Sequence, residues 1–319
     1  MLRSFLIYLS KAAWAQRMVS GWKFAWRAAS RFVAGNTIED AIGAVTDLNS
    51  NGINVTLDHL GESTATREDA VKAADDIIEL LDKIKTSGVR ANVSVKLTQI
   101  GLALDEALCT QNLVRILTRA NEYKNYVRID MEDTPYTEQT IRMYREMRKK
   151  GFQKTGIVVQ SYLYRTEKDT RELLQDGTSF RLVKGAYNEP ANLAYPRKAD
   201  VDANFDLLSQ IMIDAARNAG CPPISADGHI PPVPAIGSHD PKRLDFAKVY
   251  AEKVGLPKNA IEFQMLFGIR RDLQQQLVKE GYPVRVYVPY GTHWYPYFMR
   301  RLAERPANVW FFVSNFFRR

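Results

Sequence analysis

Cysteine and histidine are scarce in this chain of 319 residues: there are two of the first, Cys109 and Cys221, and four of the second. The cysteines stand far apart and form no CxxC or Cys/His ligand pattern. That excludes a structural zinc site and argues against a disulfide scaffold, so a reducing, cytoplasmic compartment suits the chain. No HExxH occurs, so the histidines offer no metal motif. No apolar run is long enough to span a bilayer. No GxGxxG follows a candidate strand and no GxxxxGK[ST] is present, which removes the usual dinucleotide and phosphate-loop fingerprints. An RNP-like signature and a dense basic tract are also missing, so the formal charge of +8 does not indicate nucleic acid. The surplus is compatible with anionic ligands or an acidic membrane surface and does not choose between them.

What the chain does have is 45% hydrophobic residues, enough for a sizeable core. In residues 1–33, Leu2, Phe5, Leu6, Leu9 and Ala13 recur at helical spacing. Lys11 interrupts the apolar run too early for a secretory signal, so an amphipathic N-terminal helical arm is the better reading. From residue 34 to 319 short β-branched runs alternate with longer helical patterns. The runs are 53–58, 92–97, 126–131, 156–161, 180–185, 234–239, 261–266 and 284–289. Eight strands alternating with helices predict an α/β fold of the (β/α)8 TIM-barrel type, and an open doubly wound sheet is the alternative.

Successive side chains of a strand point to opposite faces, which sorts each run in two. Val93, Val95 and Leu97 oppose Ser94, Lys96 and Thr98; Val127, Ile129 and Met131 oppose Arg128, Asp130 and Glu132; Val284, Val286 and Val288 oppose Arg285 and Tyr287. The apolar sets suit contact with helices, so the polar sets face the barrel interior. Unpaired charges there would each cost several kcal/mol, so they pair with one another, with a ligand, or both. Asp58, Lys96, Asp130, Gln160, Lys184, His239, Gln264 and Tyr287 all fall near the carboxyl ends of strands, where barrels of this type carry their chemistry.

Individually these residues leave alternatives open. Lys96 fits a carboxylate anchor, a Schiff-base amine or the partner of an internal acid, for which Asp130 is the candidate. Gly185 and Ala186 in "RLVKGAYNEP" either relieve a turn or let a flat ligand approach the backbone. Tyr187 then forms a wall of the pocket, beside the positive charge of Arg181 and Lys184. Ser238 and His239 in "GSHD" read as hydrogen-bonding groups for a cofactor, or as a cap before the helix at Pro241. Tyr297 and Arg300 share a helical face, and Arg301 can converge on the same ligand; a solvated basic face is the plainer reading. Three functions remain at this level: an enzyme that binds a flat cofactor and an anionic substrate, a lyase or aldolase using Lys96 or Lys184 as a Schiff-base amine, and a basic module that binds membrane or nucleic acid without catalysis.

The stretches "RFVAGNTIEDA", "VTLDHLGES", "VSVKLTQIGL", "RIDMED", "VVQSYL", "RLVKGAYNEP", "YPRKADVDANF", "EFQMLFGIR", "RVYVPYG" and "YFMRRLAERPAN", in this order, give the chain from Arg31 to its end a close resemblance to the FAD-dependent proline dehydrogenases of the monofunctional bacterial type. The resemblance implies a distorted (β/α)8 barrel and oxidation of L-proline to Δ1-pyrroline-5-carboxylate. Hydride would pass to FAD N5 and electrons onward to a membrane quinone. It further implies that Lys96, Arg300 and Arg301 hold the substrate carboxylate while Tyr187, Leu266, Tyr287 and Tyr297 pack around the ring. Asp130 and Arg181 match active-site positions, Arg181 near the flavin. Met131, Gln160, Lys184, Gly185, Ala186, Ser238, His239 and Glu304 match flavin contacts. The segment "CPPISADGHIPPVPAI" departs from the family pattern directly before Ser238 and His239, and so bears on the ADP side of that site. Aromatic and basic residues at both termini suit either packing on the barrel or peripheral contact with anionic lipid at the inner face of the cell membrane.

Overall fold

The β-branched runs become eight strands: β1 (Asn54–His59), β2 (Ala91–Val95), β3 (Val127–Ile129), β4 (Thr155–Gln160), β5 (Phe180–Val183), β6 (Pro234–Gly237), β7 (Glu262–Leu266) and β8 (Val284–Tyr290). The structure, a computed structural model, describes residues 6, 8–10, 12–20, 23–61 and 64–304. Each strand pairs in parallel with the next, and β8 closes on β1 with Val55 opposite Val286 and Leu57 opposite Val288. The closed barrel therefore replaces the open-sheet alternative.

Eleven helices of the described residues accompany the strands: α1 (Ala13–Ser20), α2 (Lys23–Ala29), α3 (Ile38–Ser50), α4 (Arg67–Ser87), α5 (Glu106–Glu122), α6 (Thr134–Lys149), α7 (Thr166–Gln175), α8 (Lys198–Asn218), α9 (Pro241–Lys253), α10 (Arg271–Lys279) and α11 (Trp294–Glu304). Their starts are chemically marked. Thr37 and Asp40 form a reciprocal capping box at α3, and Thr66 accepts from the Asp69 N–H at α4. Ala70, Ala74, Ile77, Leu81 and Ile84 make one buried stripe of α4, and Gly88 ends it in the left-handed conformation. Such stripes meet the outward residues of the strands, including Leu57, Val93, Val95, Ile129 and Phe263, in one continuous core.

The barrel departs from regularity at its seam. α3 precedes β1 yet packs against both β1 and β8, the position outside the last strand where an eighth helix would lie. α11 is thereby displaced to the carboxyl-terminal mouth, where Tyr297, Arg300 and Arg301 line a cavity. The arm supports it there. Trp26 lies 5.6 Å from Trp294 and Phe32 6.3 Å from Phe298 between ring centroids, and Tyr295 Oη donates to the Leu9 carbonyl at 3.2 Å. Arm and α11 share one apolar cluster, with Ala25, Ala29 and Phe32 buried against Phe298 and Leu302.

The proline-rich insertion corrects an expectation. It lies at the amino-terminal end of the barrel and closes it, away from Ser238 and His239. The carbonyl of Gly228 accepts from Arg285 at 2.7 Å, that of His229 from Asn92 at 2.6 Å, and that of Pro232 from Ser179 at 3.2 Å. Gly228 sits at φ +72°, and a Cβ there would stand 2.4 Å from Asn54 Oδ1. The reason is topological: a segment entering a parallel strand arrives at the amino-terminal end, while residues 238–239 leave at the other.

Candidate active site

Two polar layers occupy the barrel interior. In the lower one, Arg285 donates from Nε and Nη2 to both oxygens of Glu262, at 2.9 and 3.0 Å, and from Nη1 to the Val55 carbonyl. Arg128 donates to the carbonyls of Ile157 and Ser179 at 3.1 and 2.7 Å and lies 4.9 Å from the Tyr126 ring. Burial pushes its guanidinium down to about 10. Gly156 makes this possible, because a Cβ at that position would be 2.6 Å from Arg128 Nη1.

In the upper layer Asp130 is the hub. Its Oδ1 accepts from Arg181 Nη1 at 2.8 Å and from Ser94 Oγ at 3.2 Å; its Oδ2 accepts from Tyr287 Oη at 2.8 Å. Lys96 Nζ donates to Asp58 Oδ1 at 2.7 Å and to Tyr287 Oη at 3.1 Å. Tyr287 lies beside two cations, 5.8 Å from Lys96 Nζ and 5.1 Å from the Arg181 guanidinium. Burial, followed by the charges of Asp130 and Asp58, holds its phenol well above the ordinary tyrosine value. Burial also raises the Asp58 carboxyl, against the opposing charge of Lys96.

Above this layer opens a cavity of about 390 Å³. Its lining includes Asp130, Arg181, Lys96, Arg300, Arg301, Tyr187, Tyr287, Tyr297, Leu266, Met131, Gln160, Lys184, Gly185, Ala186, Ser238 and His239. Seven different strand ends, from β2 to β8, the loop after β5 and α11 thus bring these candidates to one place. Glu304 ends α11, and its side chain lies outside the described residues. Among the described lining residues Lys96, Arg181, Arg300 and Arg301 stand against one carboxylate, Asp130, which favours an anionic ligand.

Lys184 joins the lining with its charge already paired. It leaves β5 on the helix-facing side, alternating with inward Arg181 and Val183, and its amine donates to Asp202 of α8 at 2.5 Å and to Asp240, the cap of α9, at 2.8 Å. Its stem borders the cavity while its charge is held outside. His239 accepts from the Leu266 N–H at 2.9 Å, so one ring nitrogen belongs to β7.

Several participants carried only a general signal in the sequence. Asp58 and Gln264 are inward by parity but do not stand out among the other polar positions. Val158, Val183, Gly237 and Met265 line the cavity without distinctive chemistry. Tyr162 lies in the stretch "VVQSYL", but nothing in the sequence gives it a role. It packs behind Gly185, where φ is +117° and a Cβ would come within 2.5 Å of its ring. Among the described residues, no cluster of His, Cys, Asp or Glu could hold a metal ion, and no helix is long and apolar enough to cross a membrane.

A parallel barrel with tyrosines and cations around a mouth cavity is the architecture of a (β/α)8-barrel enzyme, with a lining that suits a small anionic molecule. The family model for proline dehydrogenase matches residues 41–314. The chain is 40% identical over 309 residues to proline dehydrogenase 2 of Bacillus subtilis, covering 97% of this chain and 96% of that one. It is 41% identical over 294 residues to the proline dehydrogenase of Deinococcus radiodurans, covering 91% and 90%. Among solved structures, proline utilization A from Bdellovibrio bacteriovorus, inactivated by N-propargylglycine, superimposes with a TM-score of 0.78 at 26% identity; the match covers 88% of this chain and 33% of that longer one. The chain belongs to the proline dehydrogenase family, a family of oxidoreductases.

Proposed function

We propose that this protein oxidises L-proline to Δ1-pyrroline-5-carboxylate with bound FAD, the first step of proline catabolism. The observation that carries the reading is the convergence of Lys96, Arg300 and Arg301 with Tyr187, Tyr287 and Tyr297 around one cavity. The cations suit a carboxylate, for which guanidinium offers bidentate geometry. The tyrosines and Leu266 suit an apolar ring of five members.

The cavity wall also fits a flavin. Gln160 donates its amide hydrogens to the Met131 and Glu132 carbonyls at 3.0 and 3.2 Å, while its Oε1 is buried and accepts from no described residue. It is placed to receive an N–H such as that of a flavin ring. Gly185, Ala186 and Gly237 keep the adjoining wall low enough for a flat ring system. Met131, Gln160, Lys184, Gly185, Ala186, Ser238 and His239 would hold the cofactor, with Glu304 at its adenosine end. When bound, FAD supplies at N5 the acceptor for the hydride leaving the ring carbon beside nitrogen, and its electrons pass on to a quinone.

The chain's own work is orientation and electrostatics. Arg300, Arg301 and Lys96 fix the carboxylate, which sets the ring carbon that reacts. Asp130 holds Arg181 and Tyr287 in place, so that a fixed positive charge and a fixed phenol face the reacting region with no reorganisation. Tyr187, Tyr297 and Leu266 exclude water from the ring. A Schiff-base role for lysine has less support: Lys96 and Lys184 are each engaged by carboxylates, the arrangement of a fixed cation and not of a nucleophile. Contact with a quinone-bearing membrane agrees with the exposure of Tyr8, Trp14 and Met18 on the arm.

The purified protein should be yellow, and L-proline should bleach it without oxygen. A colourless protein that takes up no flavin would overturn the reading, and sedimentation with anionic vesicles tests the membrane contact separately.

A further inference from the structure

Beneath Arg181 lies a relay of buried side chains that binding and hydride transfer, as described above, do not require. Arg181 Nε donates to Gln264 Oε1 at 2.6 Å, and Gln264 Nε2 donates to Glu262 Oε1 at 2.5 Å. Glu262 in turn accepts from Arg285, which is anchored to the Val55 carbonyl and to Gly228 of the bottom plug. Gln264 and Glu262 are both buried, Glu262 completely.

We infer that Gln264 is a positioning residue for Arg181, and that Glu262 acts through it by fixing which end of the amide faces upward. The sense of the amide follows from donor chemistry. Arginine Nε can only donate, so the atom opposite it is the oxygen; the Glu262 carboxylate, already paired with Arg285, can only accept, so the atom opposite it is the NH2. A glutamine with nothing beneath it could present either end. With Glu262 below, only one orientation satisfies both neighbours.

The consequence concerns charge as well as geometry. Asp130 accepts from Arg181 at Nη1 and not at Nε, Ser94 Oγ accepts from Nη1 and Nη2 at 3.2 Å, and the second Asp130 oxygen accepts from Tyr287 and lies 3.8 Å from Lys96 Nζ. The Gln264 acceptor at Nε opposes rotation of the guanidinium into a two-pronged pair with Asp130, which would displace the Tyr287 hydroxyl. A neutral acceptor does this without adding an anion beside Arg181. The lower pair, Glu262 with Arg285, keeps the negative charge one layer down.

The inference rests on the flavin-dependent reading of the site. It is tested with the FAD-loaded enzyme, L-proline as substrate, and the midpoint potential of the flavin as a second readout. Gln264→Met keeps the side-chain length and removes both amide bonds. It should lower kcat about tenfold and change KM for proline less than about threefold, since the carboxylate anchors are elsewhere. It should also shift the potential. The exchange Glu262→Gln with Gln264→Glu keeps a hydrogen-bond acceptor at Arg181 Nε and moves the negative charge up one layer. It should recover most of kcat relative to Gln264→Met and lower the potential below that of the wild type. Wild-type kcat and potential in Gln264→Met would overturn the inference. So would a loss in kcat and KM that merely tracks a fall in thermal stability, or an exchange variant no better than Gln264→Met. Failure of the wild type to bind flavin or turn over proline would instead count against the functional reading.

Discussion

The lower layer of the barrel interior pairs its charges within the chain, whereas the upper layer leaves acceptors that the chain does not fill. Below, Arg285 meets both oxygens of Glu262 and two carbonyls, and Arg128 is spread over backbone carbonyls and an aromatic ring. Above, Gln160 Oε1 and Asp58 Oδ2 are buried with no partner among the described residues. Both layers are charged, both are hidden from water, and only one adjoins a cavity. Inward polarity therefore does not by itself define a site; what defines it is hydrogen-bonding capacity that a ligand could complete.

The sharpest way to break this comparison is in the lower layer. Arg285→Leu strands Glu262, which is 0% exposed and retains only Gln264 as donor. Removing one partner of a buried pair costs about 3–5 kcal/mol. Urea unfolding at neutral pH should show that loss, and the double change Arg285→Leu with Glu262→Leu should recover part of it, because no charge is then left behind. If the single variant is as stable as the wild type, the lower layer is not the structural one.

In the cavity above the upper layer the expected effect moves from stability to binding. Arg301→Ala should weaken proline binding by roughly 1–3 kcal/mol, the range for losing a charge-assisted hydrogen bond. Flavin content should stay largely intact. Arg300→Ala should behave in the same direction. Proline titration of the flavin spectrum measures both, and wild-type affinity in both variants would remove the carboxylate role.

How far these layers could be read in advance depends on range. Strand parity puts Asp130 and Arg285 inside, because alternation is a local property of two-residue period. The eight strands and the barrel followed from the same pattern. Which inward residues complete one another was not legible, since it depends on register between strands distant in sequence: Arg181 meets Gln264 across 83 residues. Position near a strand end groups Lys184 with the site residues, and alternation from Arg181 turns its amine toward the helices. Residues 221–233 are close to Ser238 in sequence and not in space. A strand separates the two, and the strand runs the height of the barrel. The use of α3 in place of an eighth helix has no local signature, as its amphipathic pattern does not say which strands it will cover.

Tyr287→Phe sharpens the upper layer through pH. The native state holds the Tyr287 proton well above the ordinary value, with burial as the leading cause. Its contribution to stability is then present below the unfolded pKa of about 10 and is lost as pH rises from there through the folded value. Replacing it with Phe should flatten the alkaline limb of the stability curve. At neutral pH it should cost about 1 kcal/mol, for the bond to Asp130. Unfolding midpoints between neutral and strongly alkaline pH give the comparison, and an unchanged alkaline limb would mean that Tyr287 is not the titrating group.

The smallest effect is expected from an ion pair shorter than any in the lower layer. Arg67 Nη1 lies 2.6 Å from Asp105 Oδ2, against 2.9 Å for Arg285 and Glu262, but its side chains are 60% and 38% exposed where theirs are 1% and 0%. Water screens the outer pair and its ordering consumes side-chain entropy, so Arg67→Ala should cost under about 1 kcal/mol and the difference should fade in high salt. Arg67 is the residue to change, because Asp105 also caps α5 through the Ala107 N–H at 2.9 Å, a separate contribution. If Arg67→Ala proved as destabilising as Arg285→Leu, distance would outrank burial, and the contrast between a self-paired layer and a solvent-screened surface would lose its physical basis.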